Sequence, residues 1–286
     1  MDATKFLLRV GRIKEIPTLP LIVLELNKQL KNPKTSVASV ARTIEKDQAL
    51  SSNILKLVNS AFYGFKTKIS DIRNAVVLLG YNAVRNAIVS ISVIKAFSGD
   101  SALRGFDISE FWKHSLAVAV TSKNISTMTK INSPDNCFVG GLLHDIGKVI
   151  LAQYFQEMFA KVWLTSRNEE ISFWSAEQNI VPADHAKIGA FLAARWKLPK
   201  GLVYAIRRHH AYQANVENEE FIRIIYLANA IVNSYSEDEE CEFDTSLMPP
   251  EVVRFMMQTM QNVSNWYAGI SAEIEAAHSF FLEAAE

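Results

Sequence analysis

Apolar residues recur at three- and four-residue intervals along nearly the whole chain, and no convincing run of period-two alternation breaks the pattern. A chain patterned this way buries its apolar stripes by packing helix on helix, so the expected fold class is all-α. Turn and cap residues punctuate the pattern. Pro17-Thr18-Leu19-Pro20 makes a stiff entry to a helix carrying Leu21, Leu24 and Leu26, which Asn32-Pro33 stops. Ser36 is a candidate N-cap for a helix with Val37, Val40, Ala41 and Ile44 on one face. After a break near Asp47, a further helix carries Leu50, Ile54, Val58 and Phe62 and is closed by Gly64. Ser70 or Asp71 then caps a helix through Val76 and Leu79 to Gly80, and another runs from Asn82 to about Phe97.

Gly99 and the segment Asp100 to Gly105 read as a boundary, dividing an N-terminal helical part at 1–104 from a second helical part at 105–286. Helices are expected near 108–129, 134–148, 149–168, 183–196, 199–210 and 219–235. Pro249-Pro250 opens the last helices, which reach about Ala284, and the acidic run Glu237-Asp238-Glu239-Glu240 reads as a solvated loop.

At 286 residues, 49% of them apolar, the chain can bury a real core as one large domain or two modest ones. Thirty basic residues balance thirty acidic ones, so no overall field draws nucleic acid, an anionic membrane or an acidic substrate. Cys137 and Cys241 form neither a disulfide framework nor a metal pair, which suits a reducing compartment. The first twenty residues interleave Lys5, Arg9, Arg12, Lys14 and Glu15 with short apolar pieces, unlike a signal peptide. The longest apolar stretches are interrupted by Arg85, Lys95 or Lys148. The expected location is cytoplasmic.

Five of the six histidines, His114, His144, His185, His209 and His210, fall between residues 114 and 210, and Asp145 directly follows His144. A lone histidine on a helix is more often a core or surface residue than a ligand; the grouping is what points to a metal. Gly140 and Gly141 precede His144 and would let another helix approach closely. Neighbouring residues on a helix point about 100° apart, so His144 and Asp145 would flank one point between helices. His185 shares a face with Gly189 and Leu192, and His114 with Val118 and Thr121. His209 and His210 follow Leu202 and Ile206 at helical spacing, which turns at least one of them inward. Imidazole suits first-row transition metals, and a carboxylate can bridge two of them.

The order His114…His144-Asp145…His185…His209-His210, the string His144-Asp145-Ile146-Gly147-Lys148 and the context Ala186-Lys187-Ile188-Gly189…Trp196-Lys197-Leu198-Pro199 resemble the HD superfamily of metal-dependent phosphohydrolases, including its HD-GYP branch. The first hundred residues sharpen this. Ile16 to Pro20, Ile44 to Leu50, Val58 to Gly64 and Ile69 to Gly80 resemble the HDOD family, and the likeness covers roughly residues 10–235. It implies a multi-helix HD-like bundle with an N-terminal helical subdomain, in a bacterial signalling or regulatory module whose catalytic site is degenerate.

The resemblance also implies metal ligands at His114, His144, Asp145, His185, His209 and His210. Asn229, in Ile225-Tyr226-Leu227-Ala228-Asn229-Ala230, stands where the catalytic relatives carry a final aspartate. An amide can ligate but brings no charge. Two divalent ions would then face one certain carboxylate, Asp145, unless an anion, Asp184 or Glu217 restores the balance. One or two divalent transition metals (Fe, Mn, Zn or Ni) and no organic cofactor are expected, with one ion or none favoured over two. Ala211-Tyr212-Gln213-Ala214-Asn215 follows the paired histidines in place of a GYP loop, which disfavours cyclic-di-GMP hydrolysis.

The expected function is therefore binding rather than turnover, with a signalling protein partner or a small phosphorylated ligand. The alternative is a metal-dependent phosphohydrolase or phosphodiesterase acting on a nucleotide or cyclic nucleotide, in which Asp145 and Lys148 would be catalytic, Lys148 near a substrate phosphate or else solvated at a helix end. A DNA-binding helix-turn-helix at 36–62 is a third reading. It is disfavoured because its second helix offers Asn53 and Asn59 but Lys56 as its one cation. The terminal stripes Phe6-Leu7-Leu8 and Phe255-Met256-Met257 with Met260 are expected in the core, and would otherwise serve a partner or a homodimer. Asn59, Ser60, Tyr63 and Arg73 are explained equally by capping and by a polar groove.

Overall fold

The structure is a computed structural model, and it describes residues 2–30, 32–60, 63–98, 106–235, 245–246, 248–260 and 263–283. Phe62, the 99–105 boundary, the acidic run 237–240, Cys241 and Ala284 lie outside the described residues. Among those described, helices account for the regular structure and no strand forms.

Side-chain caps set several of the helix starts. α1 (Ala3–Gly11) begins where Asp2 accepts from the Lys5 amide. α2 (Leu21–Gln29) follows Pro20. α3 (Val37–Glu45) starts at Ser36, whose Oγ accepts from Ser39 N at 3.2 Å, and α4 (Gln48–Val58) at Asp47, which accepts from Leu50 N at 2.9 Å. Asp71, rather than Ser70, caps α5 (Ile72–Phe97), in which Gly80 at φ 81° breaks the helix into two pieces. α5 is long and apolar enough to cross a membrane by length and composition, yet more than half of its apolar window is buried within the protein.

α6 (Ile108–Thr129) is capped by Asp107, and α7 (Pro134–Leu143) opens on proline, which suits a first turn. α8 (Ile146–Tyr154), α9 (Gln156–Asn168) and α10 (Phe173–Ile180, capped by Ser172) follow. Asp184 caps α11 (His185–Arg195), Pro199 precedes α12 (Lys200–Arg208), and α13 (Glu219–Ser234) follows Asn218. α14 (Pro250–Thr259), α15 (Val263–Gly269) and α16 (Ser271–Glu283) complete the chain. Residues 149–168, expected as one helix, are divided at Phe155, and α10 lies between the helices expected at 149–168 and 183–196.

Contacts gather Met1–Pro17 with Asp100–Gly269 in one unit, and Thr18–Gly99 with Ile270–Glu286 in another. Each unit thus takes a terminus from the far side of the other: α1 packs on α11, and α16 packs on α5. In the smaller unit α3 and α4 both pack on α5, around Ile44, Ile54, Ile88 and Ile94. Asn59 ties its α4–α5 connection, donating to Leu55 O and Ile69 O and accepting from Ile69 N. A turn role thus accounts for this asparagine, and its side chain is held by its own loop. In the larger unit α6 lies against α7 and α13, while α11 lies against α8 and α12. Phe6, Phe255, Met256 and Met260 are core residues there, whereas Leu8 and Met257 are exposed.

Two crossings are close enough to demand glycine. A Cβ on Gly141 would lie 2.6 Å from Ala119 Cα, where α7 meets α6. On Gly147 it would lie 2.0 Å from the His185 carbonyl oxygen, where α8 meets α11. Both contacts are with backbone, which cannot rotate away. Gly147→Ala is expected to destabilise the protein by about 2 kcal/mol or more in urea denaturation. Gly269→Ala, with nothing within 4 Å, is expected to stay within about 0.5 kcal/mol. Equal stability of the two variants would contradict the close crossing.

Candidate metal centre

The centre is assembled in the larger unit from five places in the chain. His114 comes from α6, His185 is the first residue of α11, His209 and His210 follow α12, and Asn229 lies on α13. His144 and Asp145 occupy the turn between α7 and α8, not a continuous helix over 134–148 as the spacing suggested. Where the helix ends, His144 turns its ring back on the last turn, and Nδ1 donates to Gly141 O at 2.6 Å. Lys148 N then returns to Asp145 O at 2.8 Å, starting α8. The turn sends both side chains into one point more directly than adjacent helical positions would.

A carbonyl can only accept, so the contact to Gly141 O puts a proton on His144 Nδ1 and leaves a lone pair on Nε2. His209 Nδ1 is fixed in the same way, donating to Ile206 O at 2.7 Å. His185 Nδ1 donates to Glu177 Oε2 at 2.5 Å, and His185 N donates to Glu177 Oε1 at 2.9 Å. Each ring is therefore held from behind, with Nε2 facing inward. His185 Nε2 lies 3.2 Å from His209 Nε2 and 3.0 Å from His210 Nε2. Around Asp145, Oδ1 is 3.0 Å from His185 Nε2 and 3.4 Å from His209 Nε2, while Oδ2 is 3.4 Å from His144 Nε2 and 3.8 Å from His114 Nε2. Lys148 Nζ reaches Asp145 Oδ2 at 2.5 Å. Asn229 is buried in hydrogen-bond contact with His114, and its Oδ1 accepts from Asn233 Nδ2 at 3.1 Å.

Asp145 is only 2% exposed, yet its carboxyl is held well below the usual carboxylate range. Burial opposes the charge, and His144, Lys148 and His185 outweigh it. Burial dominates at His114, lowered to about 3, and at His209, lowered to about 4; it also lowers His210. Those rings are neutral at pH 7, the form that ligates metals. His185 is the exception. Burial disfavours its charge too, but Glu177 and Asp145 on either side push it up to about 9.

Two sets of donor atoms result, both sharing Asp145: His185, His209 and His210 with Asp145, and His114 and His144 with Asp145. Within each set the donor atoms lie within 4.8 Å of one another, close enough to hold a metal ion. The fit can be tested on unsatisfied atoms. His144 Nε2 and Asp145 Oδ1 are both buried without a hydrogen-bond partner of acceptable angle, a costly arrangement in a protein interior. Both atoms belong to these sets, so a cation would relieve them. Every residue expected as a ligand is brought to this point, including Asn229.

Glu177 was not expected. It is wholly buried on α10, which starts where Ser172 Oγ accepts from Ser175 N. Asp184 and Glu217, considered from the sequence as sources of negative charge, lie apart: Asp184 caps α11 and pairs with Lys187, and Glu217 is exposed. Lys148, read as near a substrate phosphate or else solvated at a helix end, pairs with Asp145 and has its ammonium 5.5 Å from the Phe173 ring. At the rim, Trp174 stacks on His210 at 5.3 Å. A separate pocket of 710 Å³, lined by Glu219, Arg223, Glu251 and Arg254 among others, shares no residue with the centre.

The sequence pattern of the HDOD domain matches residues 16–212, well over half of the chain. The chain belongs to the HDOD family. An uncharacterized protein of Treponema pallidum (strain Nichols) is 28% identical over 223 residues, which is 77% of this chain and 43% of that protein. The chain thus spans less than half the length of that relative. Among solved structures, an HDOD domain protein of unknown function from Geobacter sulfurreducens matches with a TM-score of 0.76 at 27% identity, over 99% of this chain and 96% of that one. A candidate phosphohydrolase from Shewanella amazonensis SB2B matches with a TM-score of 0.73 at 22% identity, over 96% and 97% of the two chains, and carries the fold alone.

For this HDOD protein the shifted histidines fix the pH response of the metal-free form. His114 and His209 are neutral when folded but protonate near 6.5 when unfolded, so stability falls as pH drops below about 6.5. His185 acts oppositely: its contribution is complete below about 6.5 and is lost as pH rises through about 9. In EDTA, the melting temperature should therefore peak near neutrality, fall at pH 5, and fall less steeply by pH 9. A melting temperature that is flat or rising from pH 7 to pH 5 would contradict these environments.

Proposed function

We propose that this HDOD protein is a regulatory module that acts through binding, with its histidine–aspartate centre holding a divalent transition metal as a structural or sensory element. One observation carries the reading. The centre keeps its histidines around Asp145, while the position of the last ligand is filled by Asn229, a buried amide already engaged with His114 and Asn233. Hydrolysis at a pair of metal ions needs enough negative charge to hold both ions and an activated water. A site with Asn229 in that place favours retention of metal over turnover.

The ligands His114, His144, Asp145, His185, His209 and His210 would hold the metal, with Fe, Mn, Zn and Ni the ions suited to this donor set. A bound metal would fix the relative places of α6, the α7–α8 turn, α11 and the segment after α12, since each contributes a donor. A signalling protein or a small phosphorylated ligand would read that arrangement, as would a second copy of the chain. The second reading is a metal-dependent phosphohydrolase. It draws on Lys148 beside Asp145 and on the candidate phosphohydrolase that shares the fold.

Purified protein, before and after reconstitution at neutral pH, is expected to contain up to about one equivalent of Fe, Zn, Mn or Ni by mass spectrometry. It is expected to give little or no turnover of cyclic dinucleotides, nucleotides or an activated phosphodiester. Absence of metal under both conditions would remove the proposed centre. Robust metal-dependent hydrolysis that Asp145→Ala abolishes would establish the second reading instead. Glu177→Gln is expected to weaken metal affinity by about 10- to 100-fold, because it loosens the grip that orients His185. Unchanged affinity would separate Glu177 from the centre.

A further inference from the structure

The two donor sets are unequal, and the inequality lies in what surrounds them. His185, His209 and His210 bring three imidazoles to Asp145 Oδ1, and behind His185 stands a second buried carboxylate, Glu177. The other set has two imidazoles, His114 and His144, and what supports it is neutral: Gly141 O behind His144, and Asn229 beside His114. Its share of the carboxylate is Asp145 Oδ2, the oxygen on which Lys148 Nζ already sits. Lys148 is held there by geometry as well as charge. It is the third residue after Asp145, on the first turn of α8, and the Phe173 ring covers its ammonium.

We propose that the centre holds a single divalent transition-metal ion on His185, His209, His210 and Asp145, and that the Lys148 ammonium supplies the second cation at Asp145 Oδ2. The assignment rests on the reading of the centre as a metal site and adds which donors are used and what stands opposite them. Charge explains the arrangement. One divalent ion and Lys148 together nearly balance Asp145 and Glu177, leaving an excess of one positive charge. A second ion would raise the excess to three in a buried site, where uncompensated charge is costly. His144 Nε2 keeps an unclaimed lone pair, so the second position is built but lacks a free carboxylate oxygen and a charged fourth ligand. Restoring both should open it.

The experiment is metal stoichiometry of the full chain after incubation with excess Mn(II) and desalting, read by mass spectrometry, with circular dichroism confirming the fold of each variant. Wild-type protein should retain one equivalent. His114→Ala and His210→Ala are a matched pair, since both rings are partly exposed. The first should still retain one equivalent and the second should lose it. The double variant Lys148→Met with Asn229→Asp should retain two. If either histidine variant misfolds, anomalous diffraction from Mn(II)-bound wild-type crystals decides, with one peak expected among His185, His209 and His210. Two equivalents in wild-type protein would overturn the assignment while leaving the metal-site reading intact. So would a peak beside His114 and His144, or a double variant that stays at one. No metal in wild-type protein would overturn the metal-site reading and this assignment with it.

Discussion

The organisation of the larger unit turns on one buried carboxylate. Asp145 is almost fully removed from water and still ionised, which an apolar interior would not tolerate without compensation. The compensation comes from His144 beside it, Lys148 one turn away, and His185 across a helix crossing. Each is placed by backbone geometry rather than by the charge itself. Gly147 lets α8 touch the His185 carbonyl, Gly141 lets α7 settle on α6, and the Asp184 cap starts α11 so that His185 is its first residue. The helical packing and the electrostatics of the centre are thus one problem with a common solution.

Behind the inward-facing nitrogens lies a second layer that settles their chemistry. Gly141 O and Ile206 O accept hydrogen bonds from Nδ1 of His144 and His209, which turns Nε2 of both rings toward the centre, while Glu177 holds His185 from behind. Such backing raises ligand basicity and removes the cost of orienting a free ring. It also makes the centre pH-sensitive in opposite senses. Burial makes His209 resist protonation, whereas His185, backed by a carboxylate, retains its proton until a metal displaces it.

Much of this was legible in the sequence, and the reasons differ by residue. The helical period gave the fold class, and cap residues such as Ser36, Asp47 and Asp71 marked helix starts because each side chain bonds a free amide three residues on. The histidines and Asp145 stood out by their grouping and by the resemblance of their order to the HD superfamily. The break at His144-Asp145 was not, because both residues continue a helical pattern and the turn arises from tertiary contacts at Gly141 and Gly147. Glu177 was hidden for a similar reason. A lone glutamate reads as solvated, and its bonds to His185 at the start of α11 are tertiary. The exchange of the two termini between units is also a tertiary result, since α1 and α16 carry apolar stripes that name no partner.

The most direct test of this account is the protonation pattern of the imidazoles in the metal-free protein. Long-range nitrogen–proton correlation spectra at pH 7 would resolve which ring nitrogen carries the proton in His144 and His209. The hydrogen bonds to Gly141 O and Ile206 O predict protonated Nδ1 and bare Nε2 in both rings, with His185 protonated on both nitrogens beside Glu177. Protonated Nε2 with bare Nδ1 in His144 and His209 would contradict a centre whose lone pairs are aimed at Asp145.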